Sequence, residues 1–481
     1  MASRARCTHP SLAQLIDDHQ ADMVDLRFCD LQGALHHVTL PVAAFTDDVL
    51  EAGVAFDASS VPGFKRVEGG DMTLVPIADT ANIDPFFEHP TIAMLCHIQE
   101  AGSRQPFSRD PRHIAQRAEQ SLRQMGIADR SIWGPEFEFY VFDHVESCNR
   151  NHRASYSIQS VEGHWRTGEE SERHLGNRIR YQAGYHVMPP LDAFHDLRTR
   201  MVKHVEAAGI PVKYHHHEVG GAGQCEIEID FLPMLKAADA VLTVKYIVRM
   251  TAQAAQRTAT FMPKPLANEA GSGMHFHQML FKNDQPVFAD DAGYAGLSKE
   301  ALYYIGGLLT HAPALLAITN PSTNSFKRLV PGFEAPTKRF FGLANRSAAV
   351  RIPKLARTPA ERRFELRPPD ATCNPYLAMA AQLLAGLDGI RKKIDPTAAG
   401  FGPFDFNVFE LPQEQRDRIG SLPASLEEAL QCLQDDHEFL LLGDVFPSDF
   451  VETWVNLKEQ LDLRAMRGKP HPLEIELYYD V

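Results

Sequence analysis

Four short segments of this 481-residue chain alternate charged or histidine side chains with large apolar ones. In an extended strand, residues i and i+2 face the same side, so each segment predicts a strand with one polar and one apolar face. Facing carboxylates repel one another when they are buried, and cations between them offset that cost. The pattern therefore predicts a carboxylate-rich cavity that holds divalent metal ions. The segments are Gly134-Pro-Glu-Phe-Glu-Phe139, Glu226-Ile-Glu-Ile-Asp230, Met274-His-Phe-His277 and Arg363-Phe-Glu-Leu-Arg367.

The candidate metal ligands are carboxylates with a single imidazole. Such hard oxygen donors favour Mg²⁺ or Mn²⁺ over zinc, which prefers more nitrogen and sulfur. The alternative, ordinary half-exposed strands, explains one segment well but four poorly. The triple His215-His-His217 resembles a zinc tract, yet consecutive strand residues cannot all face one ion, so we predict a mainly structural role for it. The predicted ligands are Glu136, Glu138, Glu218, Glu226, His275 and Glu365.

Composition excludes several classes of function. The formal charge of -14 argues against general binding to nucleic acids or anionic membranes. No apolar run approaches the ~18–20 residues of a membrane span, and no apolar core follows the basic N-terminus, so neither a membrane span nor a signal peptide is expected. The seven cysteines are scattered without a Cys-x-x-Cys pair. That spacing predicts reduced thiols and a cytoplasmic location.

A boundary near residue 110 divides the chain. Short alternating segments precede it and indicate a small sheet-rich domain. Asp110 and Pro111 are typical of a helix start, and the apolar spacing of 112–125 is helical. Strand and helix patterns alternate from there on. We predict an α+β protein with two domains, residues 1–110 and 111–481.

Basic residues concentrate between positions 327 and 367 of this acidic chain. Guanidinium groups bind phosphate and carboxylate in a bidentate way, so the cluster predicts an anion site. The alternative is a solvated basic face. Metal ions beside arginines indicate phosphoryl transfer from a nucleotide, and no Walker-type loop is present. The cluster comprises Lys327, Arg328, Lys338, Arg339, Arg346, Arg351, Arg357, Arg362, Arg363 and Arg367.

A longer series of ordered motifs resembles the bacterial type I glutamine synthetases along nearly the whole chain. They are Val24-Asp-Leu-Arg-Phe28, Phe56-Asp-Ala-Ser-Ser60, Asp84-Pro-Phe-Phe87, Gly134-Pro-Glu-Phe-Glu138, His215-His-His-Glu-Val219, Thr258-Ala-Thr-Phe-Met-Pro-Lys-Pro265, Gly271-Ser-Gly-Met-His275, Asn320-Pro-Ser-Thr-Asn324, Lys327-Arg-Leu-Val-Pro-Gly332, Asn345-Arg-Ser347, Asn374-Pro-Tyr376 and Glu476-Leu-Tyr-Tyr479.

The resemblance implies an N-terminal β-grasp domain and a C-terminal catalytic α/β domain. It implies a homo-dodecamer of two stacked hexameric rings, with active sites between ring neighbours. The implied reaction phosphorylates the side-chain carboxylate of L-glutamate with ATP, and ammonia or an amine then displaces the phosphate. Two or more Mg²⁺ or Mn²⁺ ions per site would neutralise the transferring phosphoryl group.

The resemblance also implies a role for each matching residue. Glu138, Glu218 and Glu226 would bind one metal ion. Glu136, His275 and Glu365 would bind the other, which holds the ATP phosphates. Gly271, Arg328 and Arg367 would bind glutamate. His277, Arg346 and Arg351 would bind ATP, and Arg346 would also contact the transferred phosphate. Glu334 matches a flap glutamate that closes the site. The ammonium pocket would contain Asp57 of a neighbouring subunit, with Ser60, Tyr185 and Glu218.

Several positions depart from the family pattern. Ala270 replaces an asparagine beside the glutamate and amine sites, and 340–344 is unusually apolar. The first hypothesis is a glutamine synthetase that uses ammonia, because the residues of the ammonium pocket remain. The second is a γ-glutamyl amide synthetase that uses an alkylamine, polyamine, ethanolamine or aromatic amine, with Ala270, Phe64, Phe340 and Phe341 making room for the acceptor. A non-catalytic relative is the third hypothesis, which the complete set of carboxylates disfavours.

Further departures concern the nucleotide and regulation. Met279 stands where a serine near the adenine is typical, and Lys213 replaces an acid nearby, so both bear on nucleotide binding. Phe409 occupies the position of the tyrosine that is adenylylated in regulated relatives. Because phenylalanine has no hydroxyl, we expect that form of control to be absent.

Overall fold

A six-stranded sheet forms the N-terminal part of the protein. The computed structural model describes residues 7–166, 176–332 and 335–481. The order across this sheet is second, first, sixth, fourth and third strand, with the fifth strand also on the sixth. The first and sixth strands are parallel, and the other pairs are antiparallel. The strands are β1 (Met23–Cys29), β2 (Leu35–Pro41), β3 (Val54–Asp57), β4 (Asp71–Pro76), β5 (Asn82–Asp84) and β6 (Thr91–Glu100).

A ten-stranded sheet follows and carries the charged segments. Its strands are β7 (Arg130–Phe142), β10 (Val212–His217), β11 (Gln224–Ile229), β12 (Leu232–Pro233), β13 (Thr258–Thr260), β14 (Met274–Lys282), β15 (Gln285–Pro286), β16 (Phe341–Leu343), β17 (Val350–Ile352) and β18 (Phe364–Leu366). Its main order is β10-β11-β7-β14-β18-β17-β16. A separate hairpin joins β8 (His144–Arg150) to β9 (Arg153–Gln159).

Thirteen α-helices lie in the described part of the chain. As predicted, Asp110 caps the third, where its carboxylate accepts from the Arg112 N–H at 3.0 Å and Pro111 takes the first helical position. The helices are α1 (Pro10–His19), α2 (Asp47–Ala52), α3 (Pro111–Gln124), α4 (His195–Ala207), α5 (Met234–Ala254), α6 (Lys299–Thr319), α7 (Ser325–Arg328), α8 (Pro375–Lys392), α9 (Gln413–Asp417), α10 (Leu426–Asp435), α11 (Phe450–Lys458), α12 (Arg464–Met466) and α13 (Pro472–Tyr478).

The apolar face of the large sheet packs against helices. Phe137 and Phe139 of β7 are fully buried, and α3 and α5 contact this strand. One apolar core runs from the N-terminal sheet into these layers, so the predicted division at residue 110 does not coincide with a break in the core. The polar face of the large sheet is thereby left to form a cavity. The seven cysteines are free thiols.

The helix α6 is apolar and long. Among the described residues, it is the one helix whose length and composition could cross a membrane, although the sequence has no uninterrupted apolar run of that length. Within its most apolar 18-residue window, 78% is buried inside the protein. It packs against α8 and α10, as expected of a core helix.

Candidate active site and metal centre

Three rows of facing residues cross the polar side of the large sheet. In antiparallel pairs, directly opposed residues project from the same face and lie close together. The strands β10, β11, β7, β14 and β18 therefore bring together side chains that are far apart in sequence. The rows are His216, Glu226 and Glu138; then Tyr214, Glu228, Glu136 and His275; then His277, Glu365 and Arg351.

These rows line a cavity of about 1010 Å³. Its volume is that of a large ligand pocket. The cavity collects most of the residues that the sequence singles out, from eight separate stretches of chain. The predicted site residues that line it are Glu136, Glu138, Tyr185, Glu218, Glu226, Gly271, His275, His277, Arg328, Arg346, Arg351, Glu365 and Arg367.

The cavity offers ligand atoms at spacings that suit metal ions. Three groups each place three carboxylate or imidazole atoms within 4.8 Å of one another. Carboxylate oxygens with one imidazole are the donors that Mg²⁺ and Mn²⁺ accept. The donor chemistry therefore fits divalent metal. The groups are Glu136, His275 and Glu365; His216, Glu218 and Glu226; and Glu136, Glu138 and Glu226.

Charge repulsion within the cavity is visible in two carboxyl groups. Burial, followed by the neighbouring Glu138 charge, raises the pKa of Glu218 to about 8. Burial and the charges of Glu136, Glu138 and Glu218 also raise the pKa of Glu226 well above its ordinary value. Protein groups alone thus leave these carboxylates short of positive charge, and a cation there would offset the repulsion.

Two other carboxylates are already compensated. Burial opposes ionisation of Glu365, but Arg367, His277 and His275 lower its pKa to about 2. Arg351 Nη1 lies 2.6 Å and Arg367 Nε 3.0 Å from its two oxygens. Burial likewise opposes ionisation of Glu136, but the two histidines hold its pKa well below the usual range. Both carboxylates are therefore ionised and able to bind metal.

For His216, the predicted structural role of the histidine triple is wrong. His216 faces the cavity, with Nε2 3.1 Å from Glu226 Oε1, and belongs to a possible metal group. His215 and His217 point to the other side, as the predicted structural role requires. His217 Nε2 contacts the buried Glu162 at 3.0 Å, and Arg198 bonds to His215. The missed signal was the pairing of β10 with β11, which sets His216 opposite Glu226.

Asp57 and Ser60 stand apart from the cavity. Asp57 ends β3 of the N-terminal sheet and Ser60 follows that strand; both are exposed, and they are not among the described residues that line the cavity. The Asp57 carboxylate accepts from the Ser59 N–H at 2.9 Å and from the Ser60 hydroxyl at 3.2 Å. The hydrogen bonds with Ser59, and to a smaller extent the one with Ser60, lower the pKa of Asp57. The predicted flap residue Glu334 lies outside the described residues.

The apolar residues proposed to enlarge the acceptor site are in the core instead. Phe64, Phe340 and Phe341 are at most 1% exposed and do not line the cavity. Met279 is also buried away from the cavity lining, whereas Ala270 does line it. The prediction that the phenylalanines make room for an organic amine in this cavity is therefore wrong. Phe64 packs against Phe28 and Phe107, and Phe340 and Phe341 are buried in the core.

Glu228 is a cavity residue to which the sequence analysis gave no role. It is 4% exposed, faces Glu136, and forms an ion pair of 2.6 Å with Lys213 Nζ. The Lys213 ammonium also lies 3.7 Å from the centre of the Phe231 ring. The departure at Lys213 is thus matched by a partner within the same cavity. The motif Glu226-Ile-Glu228 carried the signal, since its two acids share a face.

Comparison with known proteins identifies the family. The family model of the glutamine synthetase catalytic domain matches residues 108–478, and that of the glutamine synthetase beta-grasp domain matches residues 20–101. The chain belongs to the glutamine synthetase family. The predicted α+β architecture, with an N-terminal β-grasp domain and a catalytic domain, is therefore confirmed.

Relatives match the chain from end to end. The glutamine synthetase of Frankia alni is 47% identical over 97% of this chain and 98% of its own. That of Mycolicibacterium smegmatis is 46% identical over 99% and 100%. The cryoEM structure of Plasmodium falciparum glutamine synthetase superimposes with a TM-score of 0.87 at 27% identity, covering 100% of both chains. These relatives do not favour the organic-amine alternative.

Proposed function

We propose that this protein joins ammonia to the side-chain carboxylate of L-glutamate at the expense of ATP, forming glutamine. The observation that carries the proposal is the end-to-end match to glutamine synthetases, in a chain whose cavity combines the metal-binding rows with arginines. The two features together account for activation of a carboxylate by phosphoryl transfer.

The chemistry explains why ATP is consumed. A carboxylate is a poor electrophile because its oxygen is a poor leaving group. Transfer of the γ-phosphoryl group of ATP to a carboxylate oxygen releases ADP and gives γ-glutamyl phosphate. Ammonia then attacks the acyl carbon, the C–O bond to phosphate breaks, and phosphate departs with that electron pair. After the attack, the nitrogen carries one proton more than the amide does, and this proton passes to a nearby carboxylate.

Two groups of residues would hold Mg²⁺ or Mn²⁺, at two or more ions per site. We assign Glu138, Glu218 and Glu226, with His216 beside them, to one group. Glu136, His275 and Glu365 form the other. When bound, the ions would supply charge neutralisation for the transferring phosphoryl group. His277, Arg346 and Arg351 would bind ATP and the transferred phosphate on the same side of the cavity.

At the glutamate end, Arg328 and Arg367 would bind the amino acid beside the Gly271 backbone. Arg328 is buried and held by the Pro368 carbonyl at 2.8 Å and by His275 Nε2 at 3.2 Å. A fixed guanidinium aligns a carboxylate with little loss of conformational entropy. Glu334 would close the site over the substrates.

We propose that the ammonium pocket is shared between subunits of a dodecamer built from two stacked hexamers. Asp57 and Ser60 would come from the neighbour and meet Tyr185 and Glu218. A carboxylate there favours bound ammonium and accepts its proton. We place the enzyme in the cytoplasm, with no nucleic-acid or membrane partner.

Phosphate and glutamine formation from L-glutamate, ATP and ammonia tests this function. Parallel reactions with ethanolamine, putrescine, methylamine and aniline measure the preference among acceptors. We expect turnover with ammonia and a loss of roughly two to three orders of magnitude in kcat for Glu365→Gln. Glu414→Gln, on the surface of α9, is the matched control. Turnover with an organic amine alone would overturn the proposal.

A further inference from the structure

Three consecutive carbonyl groups at the edge of the cavity accept hydrogen bonds from side chains of other segments. Lys264 Nζ donates to the Glu269 carbonyl. The Tyr140 hydroxyl donates to the Ala270 carbonyl at 2.6 Å, and Gln224 Nε2 donates to the Gly271 carbonyl at 3.0 Å. We call Lys264, Tyr140 and Gln224 the carbonyl clamp. It fixes the orientation of three successive peptide units in a segment without regular secondary structure.

The middle member of the clamp has little freedom to move. Tyr140 is fully buried in β7, and a Cβ atom on Gly220 would lie 2.0 Å from its hydroxyl oxygen. The Tyr140 hydroxyl acts as the donor in this hydrogen bond, because the carbonyl oxygen that it contacts can only accept. The ring stacks on Phe142 at a centroid distance of 5.5 Å. The hydroxyl of Tyr140 reaches the segment through its hydrogen bond to the Ala270 carbonyl.

Because the peptide unit is planar, the clamp also fixes the direction of the N–H groups in the same units. In a trans peptide, the C=O and the following N–H point in opposite directions. Holding the carbonyls of residues 269 and 270 from the buried side therefore directs the N–H groups of Ala270 and Gly271 the other way. Both residues are half-exposed and line the cavity.

These two N–H groups have no acceptor in the described part of the protein, whereas the next N–H, of Ser272, donates to the Pro263 carbonyl at 2.8 Å. The Arg328 side chain runs along this segment, with its stem beside Gly271 and its guanidinium beside Gly273. A Cβ atom on Gly271 would come within 2.7 Å of Arg328 Cγ, so the glycine lets the Arg328 stem pass against the backbone. Free N–H donors next to a guanidinium are suited to a carboxylate.

We propose that Tyr140, Gln224 and Lys264 are positioning residues that present the Ala270 and Gly271 N–H groups to a carboxylate of the amino-acid substrate. The inference rests on the proposed function and deepens it. It also bears on the departure at Ala270: residue 270 has no polar side chain, and the hydroxyl of Tyr140 orients its carbonyl instead. The clamp is expected to act on glutamate alone, because Arg346 and Arg351, which would bind ATP, lie outside the clamped segment.

Tyr140→Phe is the decisive variant because it removes the hydroxyl and keeps the ring. We expect the apparent KM for glutamate to rise roughly tenfold, since the freed peptide no longer holds its N–H groups in place. The KM for ATP and kcat at saturating glutamate should change less than about twofold. Gln224→Met, which removes the next donor, should change the glutamate KM in the same direction.

Tyr304→Phe is the matched control. Tyr304 is also fully buried, and its hydroxyl donates to Gln278 Oε1 at 2.8 Å without lining the cavity. It should lower thermal stability to a similar extent and leave the glutamate KM unchanged. A purely structural role for Tyr140 would make the two variants indistinguishable in KM.

Hydrogen exchange supplies a readout that does not need activity. The peptide that spans residues 266–273 should exchange faster in Tyr140→Phe than in the wild type, and no faster in Tyr304→Phe. If the wild type made no glutamine, the proposed function would fail while this comparison still tested the clamp. If the wild type were active and Tyr140→Phe left both the glutamate KM and the exchange unchanged, the clamp would be refuted.

Discussion

Strand alternation separates three consecutive histidines into two environments. His216 faces the carboxylates of the cavity, whereas His217 lies against Glu162 and His215 against Arg198 and Thr199. Identical side chains therefore differ in role because β10 sends alternate residues to opposite faces. Only the face that meets Glu226 can take part in binding metal.

We expect His216→Asn to weaken Mn²⁺ binding by roughly 10–100-fold, the range found when a metal ligand's partners are removed. Titration calorimetry in the absence of nucleotide measures the Mn²⁺ affinity. His215→Asn, one residue away on the opposite face, is the control and should leave the affinity within about threefold of the wild type. Equal losses in both variants would show that the effect is on the strand and not on the metal group.

The raised pKa of Glu218, about 8, makes stability depend on metal and pH together. Between its ordinary value of 4.5 and this value, the folded metal-free protein binds more protons than the unfolded chain. Stability of the metal-free protein should therefore fall as pH rises from 6 to 8.5. The low pKa of Glu365, about 2, makes no difference in this window because both states are ionised there.

Thermal unfolding at pH 6 and pH 8.5, with chelator and with excess Mg²⁺, measures this linkage. We expect chelated protein to unfold at a lower temperature at pH 8.5, and Mg²⁺ to reverse the difference, because the ion replaces the proton. Glu218→Gln should remove much of the pH dependence. A chelated protein that gains stability at pH 8.5 would contradict the assignment.

At the scale of the element, an irregularity in β10 places Lys213 in the cavity. The register shifts between Val212 and Tyr214, so the strand carries one extra residue at Lys213. Such a bulge re-aims side chains, and here Lys213 reaches Glu228 although Tyr214 is the residue paired with it. The bulge therefore supplies an internal cation to a sheet face that is rich in acids.

We expect Lys213→Met to lower the free energy of unfolding by about 2–4 kcal/mol, because it leaves Glu228 buried without its ion-pair partner. Denaturant unfolding measures the change, with the exposed Lys203→Met on α4 as the control. Adding Glu228→Gln should recover at least about 1 kcal/mol, since the two residues are coupled. Strict additivity of the two changes would show that the ion pair is not the cause.

At the scale of the whole molecule, two predicted site residues lie away from the cavity of their own chain. Asp57 and Ser60 are exposed on the N-terminal sheet, while Tyr185 and Glu218 line the cavity. On the proposed function, a second copy of the chain would complete the ammonium pocket, as in a ring with head-to-tail contacts.

Mixed oligomers test this sharing. Asp57→Ala and Glu365→Gln subunits should each assemble and be nearly inactive. Co-assembled at equal amounts, they should recover roughly a quarter of wild-type activity, because random mixing pairs an intact cavity with an intact neighbour at that frequency. Oligomers mixed from Glu365→Gln and a doubly changed Asp57→Ala/Glu365→Gln subunit are the control. No recovery in the first mixture would refute sharing between subunits.

The sequence by itself determined which side chains share a face. Period-two alternation in segments such as Glu136-Phe-Glu138 depends only on backbone geometry, so the polar faces were predictable without a partner strand. The start of α3 at Asp110 and Pro111 was predictable for the same reason, because a cap is a local hydrogen bond. Ordered motifs identified the family from the same local information.

Only the tertiary structure decided which faces meet. The opposition of His216 to Glu226, the ion pair of Lys213 with Glu228, and the reach of Tyr140 to the Ala270 carbonyl join residues that are 10 to 130 positions apart. Such contacts follow from strand register and layer packing, which depend on the free energy of the whole chain. The burial of Phe340 and Phe341 was missed for that reason: an apolar segment does not reveal whether it lines a cavity or fills the core.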